Sequence, residues 1–243
     1  MIFAAGLGTR LKPITDTLPK ALVPINGRPL LDHVITRLTD AGIDGAVVNV
    51  HHFADKIREY INTHTYNIPV EISNETDLLR ETGGGIRHAR KYLEGHDFLV
   101  HNVDIISNLD IKAFIASIRP DALSTVIVSD RKTSRYLLFN DDMRLVGWTN
   151  ISTGEIKSPH KGLDPSKCRM LAFSGIHLMS RHIFNAFDNE NVPERFPIID
   201  FYVSVCDRYP IYGYCPAGLK MIDVGKIETL GEAERLCKEL GSR

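Results

Sequence analysis

The sequence predicts an α/β fold of three layers, α/β/α, with a mostly parallel Rossmann-like sheet and an antiparallel excursion in the second half. Three observations point there. Short apolar runs alternate with amphipathic stretches of helical period up to residue 130, the pattern of strands joined by crossover helices. Beyond it, paired apolar runs flank Asn140-Asp141-Asp142, a turn-forming cluster. Composition is that of an ordinary globular chain, 43% hydrophobic and 24% charged over 243 residues, long enough to bury a core without disulfides or a structural metal.

Taken in order, Ile2-Phe3-Ala4-Ala5 reads as a short buried strand running into glycines. Leu30, Leu31, Val34, Ile35 and Leu38 recur at helical spacing, and Gly42 supplies a stop. Residues 46–50 form a strand, and 54–63 a helix that turns Ile57, Tyr60 and Ile61 inward. Strands at 70–73, 97–103 and 124–129 follow, with helices over 85–93 and 110–118. Residues 136–139 and 144–148 make a hairpin, and 170–177 another strand. Helices at 181–187 and 197–207, a strand at 211–215 and the run 221–224 lead to a closing helix carrying Leu230, Ala233, Leu236 and Leu240. No repeat, low-complexity run or linker divides the chain, so residues 1–243 are expected to be a single domain.

The charge balance excludes some partners. Lys+Arg 29 against Asp+Glu 30 leaves a net charge of −1, so no global basic field draws the chain to nucleic acid or an anionic membrane. No apolar run approaches the roughly 18–20 residues that cross a bilayer, and no basic segment precedes the short apolar start as in a signal peptide. Cys168, Cys206, Cys215 and Cys237 lie far apart with no C-x-x-C pair, which suits a reducing cytoplasm. The ten histidines lack zinc-ligand spacing; His51, His52 and His101 read as packing or polar-edge residues.

The chemistry-bearing residues begin at the first glycines. Gly6 and Gly8 leave the first strand, where bare backbone lets N–H groups approach phosphate closely. A third glycine at dinucleotide spacing is missing, Pro13 opposes a long helix behind the loop, and there is no G-K-[ST]. Alone, the pair is equally a tight strand-to-loop turn. Two cations add to it. Arg10 can grip two phosphate oxygens in a fork, and Lys20, in a segment stiffened by Pro13, Pro19 and Pro24, is a compact charge able to follow a moving phosphoryl group.

Glu81-Thr82-Gly83-Gly84-Gly85-Ile86 reads as a glycine loop ahead of a helix, either a plain turn or room for a flat base or sugar. Asp104 ends an apolar run that turns polar, the strand edge where open α/β sheets bind ligands. Asp223 follows a second apolar run. Two such carboxylates suit Mg²⁺, which takes one or two of them plus phosphate oxygens and water; each alone is more often a strand-end turn or capping residue.

The segment from Ala4 to Pro24 resembles the signature G-x-G-T-R-x-x-P-x-T…x-P-K-x-L-x-P of the sugar-1-phosphate nucleotidylyltransferases, through Gly6, Gly8, Thr9, Arg10, Pro13, Thr15, Pro19, Lys20, Leu22 and Pro24. Within that family it is most similar to N-acetylmuramate-1-phosphate uridylyltransferases and to mannose- or heptose-1-phosphate guanylyltransferases. The resemblance implies a nucleotide-binding half over about 1–110 and a sugar-binding half over about 111–243. It implies nucleotide contacts at Ala5, Gly6, Gly8, Thr9, Arg10, Gly83 and Gly84, with Arg10 and Lys20 catalytic. Glu81, Asn102 and Gly175 (in Phe173-Ser174-Gly175-Ile176) would meet the sugar, and Asp104 and Asp223 would hold Mg²⁺. Val103, Met221 and Lys226 depart from the family's N-G-D and W-x-D-V-G-T motifs, and Glu155-Ile156-Lys157-Ser158-Pro159 is a poor match to the E-K-P of related enzymes.

The implied substrates are a nucleoside triphosphate, UTP or GTP, and a sugar 1-phosphate. The implied reaction is in-line attack by the sugar phosphate on the α-phosphorus. A phosphate monoester with a second pKa of about 6 is ionised at neutral pH, so no general base is required. A metal-dependent glycosyltransferase and a non-catalytic sugar-nucleotide sensor are the competing readings. The residues do not choose among bases, sugars or oligomeric states.

Overall fold

The structure, a computed structural model, describes residues 1–241. The chain opens with β1 (Ile2–Phe3), short 3-10 turns at Thr9–Leu11, Ile14–Asp16 and Lys20–Leu22, and a small antiparallel pair, β2 (Pro24–Ile25) and β3 (Arg28–Pro29). Then come α1 (Leu30–Asp40), β4 (Ala46–Val50), α2 (Ala54–Thr63) and β5 (Val70–Asn74). The middle of the chain holds α3 (Glu81–His88), α4 (Arg90–Leu93), β6 (Phe98–Asn102), β7 (Ile105–Ser107) and α5 (Ile111–Ala116). Strands β8 (Ser124–Ser129), β9 (Arg135–Phe139), β10 (Leu145–Asn150), β11 (Glu155–Lys157) and β12 (Arg169–Met179) follow. The last elements are α6 (Ile183–Asn189), α7 (Ile198–Val205), β13 (Ile211–Tyr214), β14 (Met221–Asp223) and α8 (Leu230–Gly241).

These elements form two compact units that interleave along the chain, where the sequence reading has one domain with halves meeting near residue 110. The first comprises residues 1–79, 101–113 and the segment from Lys220; the second comprises 80–100 and 114–219. The interleaving comes from non-local pairing. β6 divides after Val100, and β14 returns to the first unit by pairing with β7, Asp223 opposite Ile105 and Met221 opposite Ser107.

In the first unit β1, β4, β5 and the end of β6 pair in parallel, beside the antiparallel pairs β2–β3 and β7–β14. β1 lies between β4 (Ile2↔Val48, Phe3↔Asn49) and the end of β6 (Ile2↔His101, Phe3↔Asn102), and β5 continues from β4. The carboxyl ends of these strands therefore share one edge, the ligand-binding edge of open α/β sheets. Helix α1 buries Leu30, Leu31, Val34, Ile35 and Leu38, as its spacing predicts. On α2, Ile57 and Ile61 are buried, whereas Tyr60 stays half-buried because its hydroxyl donates to Asp32, 2.7 Å. α8 buries Ala233 and Leu236 and leaves Leu230 and Leu240 half-exposed.

The second unit is mainly antiparallel: β12 pairs with β8 and β9, and β9, β10 and β11 run as a meander, with β13 parallel to β8. The expected hairpin is present, its turn closed by the Arg144 N–H donating to Asn140 Oδ1, 2.8 Å. Strand β11, too short and too exposed to stand out in sequence, extends it. The core contains edge-to-face contacts of Phe187 with Phe196 and Phe201. The α/β class with an antiparallel second half is thus present. Among the described residues no helix is long and apolar enough to cross a membrane.

Candidate functional site

The glycine-rich segment of the first unit is a chain of short turns held by few bonds. Gly8 sits at φ 65°, the left-handed region that favours glycine. Its carbonyl accepts from the Leu11 N–H (2.9 Å) and from the Thr15 hydroxyl (2.8 Å). A Cβ on Gly8 would fall 2.9 Å from Thr15 Cγ2 and 3.3 Å from Lys20 Cβ, so glycine here lets the lysine stem pack against the loop. Ala5 is buried under the loop, while Gly6, Thr9 and Arg10 are exposed along it.

Lys20 Nζ donates to Asp104 Oδ2, with side chains only 11% and 16% exposed. Such sparing contact with solvent strengthens the pairing relative to a surface salt bridge. The Asp104 carbonyl accepts from the Val224 N–H at 2.8 Å, and Asp223 stands opposite Ile105 across β7 and β14. This fixes the two aspartate-bearing backbones side by side. Buried Gly225 completes the cluster: a Cβ there would meet Asp223 Oδ1 at 2.6 Å and Arg10 Nη2 at 2.7 Å. Arg10, Lys20, Asp104 and Asp223, remote in sequence, therefore gather at one edge of the first unit.

The donor set fits a hard divalent cation. Two carboxylates on adjacent strand ends offer the one or two acidic ligands that Mg²⁺ takes alongside phosphate oxygens and water. Among the described residues no group of three or more His, Cys, Asp or Glu is placed to hold a metal ion. Val103 is buried and donates its N–H to the Phe3 carbonyl, 3.1 Å. Asn102 is half-buried at the end of β6, Met221 is half-buried, and Lys226 is exposed. His101 is buried and its Nδ1–H donates to the Asn102 carbonyl, 2.7 Å; burial pushes its pKa down to about 4. It is a neutral packing residue at pH 7.

The other expected residues belong to the second unit. Glu81, Gly83 and Gly84 do not precede a helix; they form the first turn of α3. The segment 194–198 explains this. Gly83 and Gly84 donate their N–H groups to the Phe196 carbonyl (2.9 and 3.2 Å), and the Thr82 hydroxyl accepts from the Ile198 N–H, 2.9 Å. A Cβ on Gly83 would lie 2.2 Å from Phe196 Cε2, and one on Gly84 2.3 Å from the Glu194 carbonyl oxygen. Their close packing is thus within the unit. Glu81 holds φ 62° and pairs with Arg195 at 3.1 Å. Gly175, at φ 73°, lies within a bulge of β12 between Phe173 and His177. Lys157 is exposed, pairs with Asp200 at 3.4 Å and lies over the Trp148 ring.

Sequence reasoning passed over Asn49 and Glu75. Asn49 Oδ1 accepts from the Ala4 N–H, 2.8 Å, and its Nδ2 donates to Glu75 Oε1, 2.8 Å. The available signal was a polar residue inside the apolar run Ala46-Val47-Val48-Asn49-Val50.

The Nucleotidyl transferase family profile matches residues 1–142. An N-acetylmuramate alpha-1-phosphate uridylyltransferase of Caulobacter vibrioides is 31% identical over 232 residues, 91% of this chain and 89% of that protein. A D-glycero-alpha-D-manno-heptose 1-phosphate guanylyltransferase of Campylobacter jejuni is 27% identical, covering 83% of each chain. The crystal structure of HddC from Yersinia pseudotuberculosis complexed with GMP-PN superposes with a TM-score of 0.73 at 26% identity over 96% of each chain. The chain belongs to the nucleotidyl transferase family, among the sugar-1-phosphate nucleotidylyltransferases.

Proposed function

We propose that the protein transfers a nucleotidyl group from UTP to N-acetylmuramate 1-phosphate, releasing pyrophosphate, with Asp104 and Asp223 holding Mg²⁺. The observation that carries the reading is the convergence of two cations and two carboxylates at the strand edge of the first unit. The choice of uracil and muramate rests on the likeness to the Caulobacter enzyme. GTP with a heptose or mannose 1-phosphate is the second reading, favoured by the likeness to the Campylobacter enzyme and to the GMP-PN complex.

In this scheme a sugar-phosphate oxygen forms a bond to the α-phosphorus while the bond to the bridging oxygen of the β-phosphate breaks. Arg10 grips the triphosphate, exploiting its planar fork. Lys20 exchanges its carboxylate partner for the phosphoryl oxygens, where its charge offsets what accumulates in flight. Bound Mg²⁺ would supply charge neutralisation and orientation between two polyanions. The nucleophile is already ionised, and a neutral, buried His101 is not called upon as base. The reading places the protein in the cytoplasm, where free thiols such as its four cysteines persist.

A panel of nucleoside triphosphates crossed with sugar 1-phosphates, scored for pyrophosphate, tests the proposal. UTP with N-acetylmuramate 1-phosphate should give the highest kcat/KM. No release with any pair would overturn it, and nucleotide-induced stabilisation without turnover would instead mark a sugar-nucleotide sensor.

A further inference from the structure

The first strand hands over to the glycine-rich segment at Ala4, and a side chain receives it there. The carbonyls of Met1 and Phe3 accept from the N–H groups of His101 and Val103 on the β6 side, 2.9 and 3.1 Å. On the β4 side, the Ala4 N–H goes to Asn49 Oδ1 rather than to a backbone carbonyl. Asn49 is 2% exposed and Glu75 is fully buried. Glu75 is itself pinned: its N–H donates to the Val50 carbonyl (2.8 Å), and its carbonyl accepts from His51 Nδ1–H at 2.6 Å.

The direction of the relay is forced by chemistry. A backbone N–H only donates, so the Asn49 amide must turn its oxygen to Ala4 and its NH2 to the Glu75 carboxyl oxygen that accepts it. Glu75 therefore aims the Asn49 oxygen at Ala4, two residues before Gly6. We infer that Asn49 and Glu75 are positioning residues that set where the backbone of the glycine-rich loop meets the nucleotide's phosphates. This rests on the proposed nucleotidyl transfer and deepens it. Neither residue touches substrate; each acts through the Ala4 amide. Burial makes the relay sensitive, because a buried polar group left without its partner loses its hydrogen bond with no water to replace it.

The relay can be broken and then rebuilt in reverse. Asn49→Asp puts two carboxylates face to face. Asn49→Asp combined with Glu75→Gln restores a hydrogen bond in the opposite direction: the new amide at 75 donates to the new carboxylate at 49, whose other oxygen still accepts from the Ala4 N–H. Binding of UTP and of GTP with Mg²⁺ is measured by calorimetry, alongside KM for each substrate, kcat and melting temperature. Asn49→Asp should weaken nucleotide binding and raise the nucleotide KM about tenfold, leaving the sugar 1-phosphate KM within about twofold. The double variant should recover most of that loss, and Glu75→Gln alone should change it by less than about threefold. Unchanged nucleotide affinity in Asn49→Asp, equal rises in both KM values, or a double variant no better than the single would overturn the inference while pyrophosphate release in the wild type stands. A wild type that binds neither nucleotide and releases no pyrophosphate would overturn the proposed function and this inference with it.

Discussion

Gly6 and Gly8 in the first unit, and Gly83 and Gly84 in the second, look interchangeable as short glycine runs beside a polar loop. Their surroundings differ in kind. An added Cβ on Gly6 would find nothing within 4 Å, whereas one on Gly83 or Gly84 would drive into Phe196 or the Glu194 carbonyl. The first pair sits in a chain of turns whose exposed backbone is open at Gly6 and left-handed at Gly8. The second is buried helix, its N–H groups already taken by Phe196. Glycine can thus be required for room outside the chain or for room inside it, and only neighbours remote in sequence tell which.

If the first unit carries the chemistry, the largest effect should follow from its charged pair. Lys20→Ala or Asp104→Asn should lower turnover by roughly 10²–10³, as removal of one preorganised charge does. Each also strands a mostly buried partner, so the unfolding free energy should fall by part of the roughly 3–5 kcal/mol seen when fully buried pairs are broken, read as a lower urea midpoint. Lys20→Met with Asp104→Asn should regain stability without regaining turnover. Recovery of both together would mean that the pair is structural, and the contrast between the units would collapse.

Gly83→Ala comes next, and it should act on folding. Its Cβ would lie 2.2 Å from Phe196 Cε2. Overpacking of that sort costs about 1–3 kcal/mol, against which alanine's helix preference returns up to about 1 kcal/mol. A net loss should appear in urea melts at constant m-value, and Phe196→Leu in the same chain should recover part of it. An unshifted midpoint would mean the helix turn yields freely.

The same contrast explains what was legible in the sequence. Alternating runs revealed the α/β class because apolar period is a local property, as at Leu30 to Leu38 on α1. Helix α3 was misplaced because glycines score poorly as helix formers, and only the packing of 194–198 overrides that preference. Strands β7 and β14 carry three residues each and become strands by pairing across the chain. The charged residue types were readable from their motifs. Their partners were not: Lys20 meets Asp104 across 84 positions, and the Asn49–Glu75 relay has no motif at all.

Gly225→Ala should have a smaller effect than Gly83→Ala on folding, because the obstructing atoms are the ends of flexible side chains. The new Cβ would meet Asp223 Oδ1 at 2.6 Å and Arg10 Nη2 at 2.7 Å, and both can swing aside. Swinging aside moves a carboxylate and a guanidinium by about an ångström, and misplacement on that scale costs up to about 10² in rate. Turnover should fall roughly 10- to 10²-fold while the urea midpoint changes little. Equal loss of both would put Gly225 with the packed glycines of the second unit.

Gly6→Ala should produce the smallest change in stability, and its sign is the sharpest part of the comparison. Gly6 is absent from the left-handed positions and has open space around its Cα. An alanine can adopt that backbone without strain, and it narrows the unfolded ensemble, which typically stabilises by about 0.4–1 kcal/mol. Folding alone therefore gives no reason for glycine at this position. If close approach of phosphate to the bare backbone is the reason, the nucleotide KM should rise while the urea midpoint holds or increases. An alanine variant with a lower midpoint and an unchanged nucleotide KM would place Gly6 beside Gly83, as a packing residue, and remove the distinction on which the reading of the first unit's loop depends.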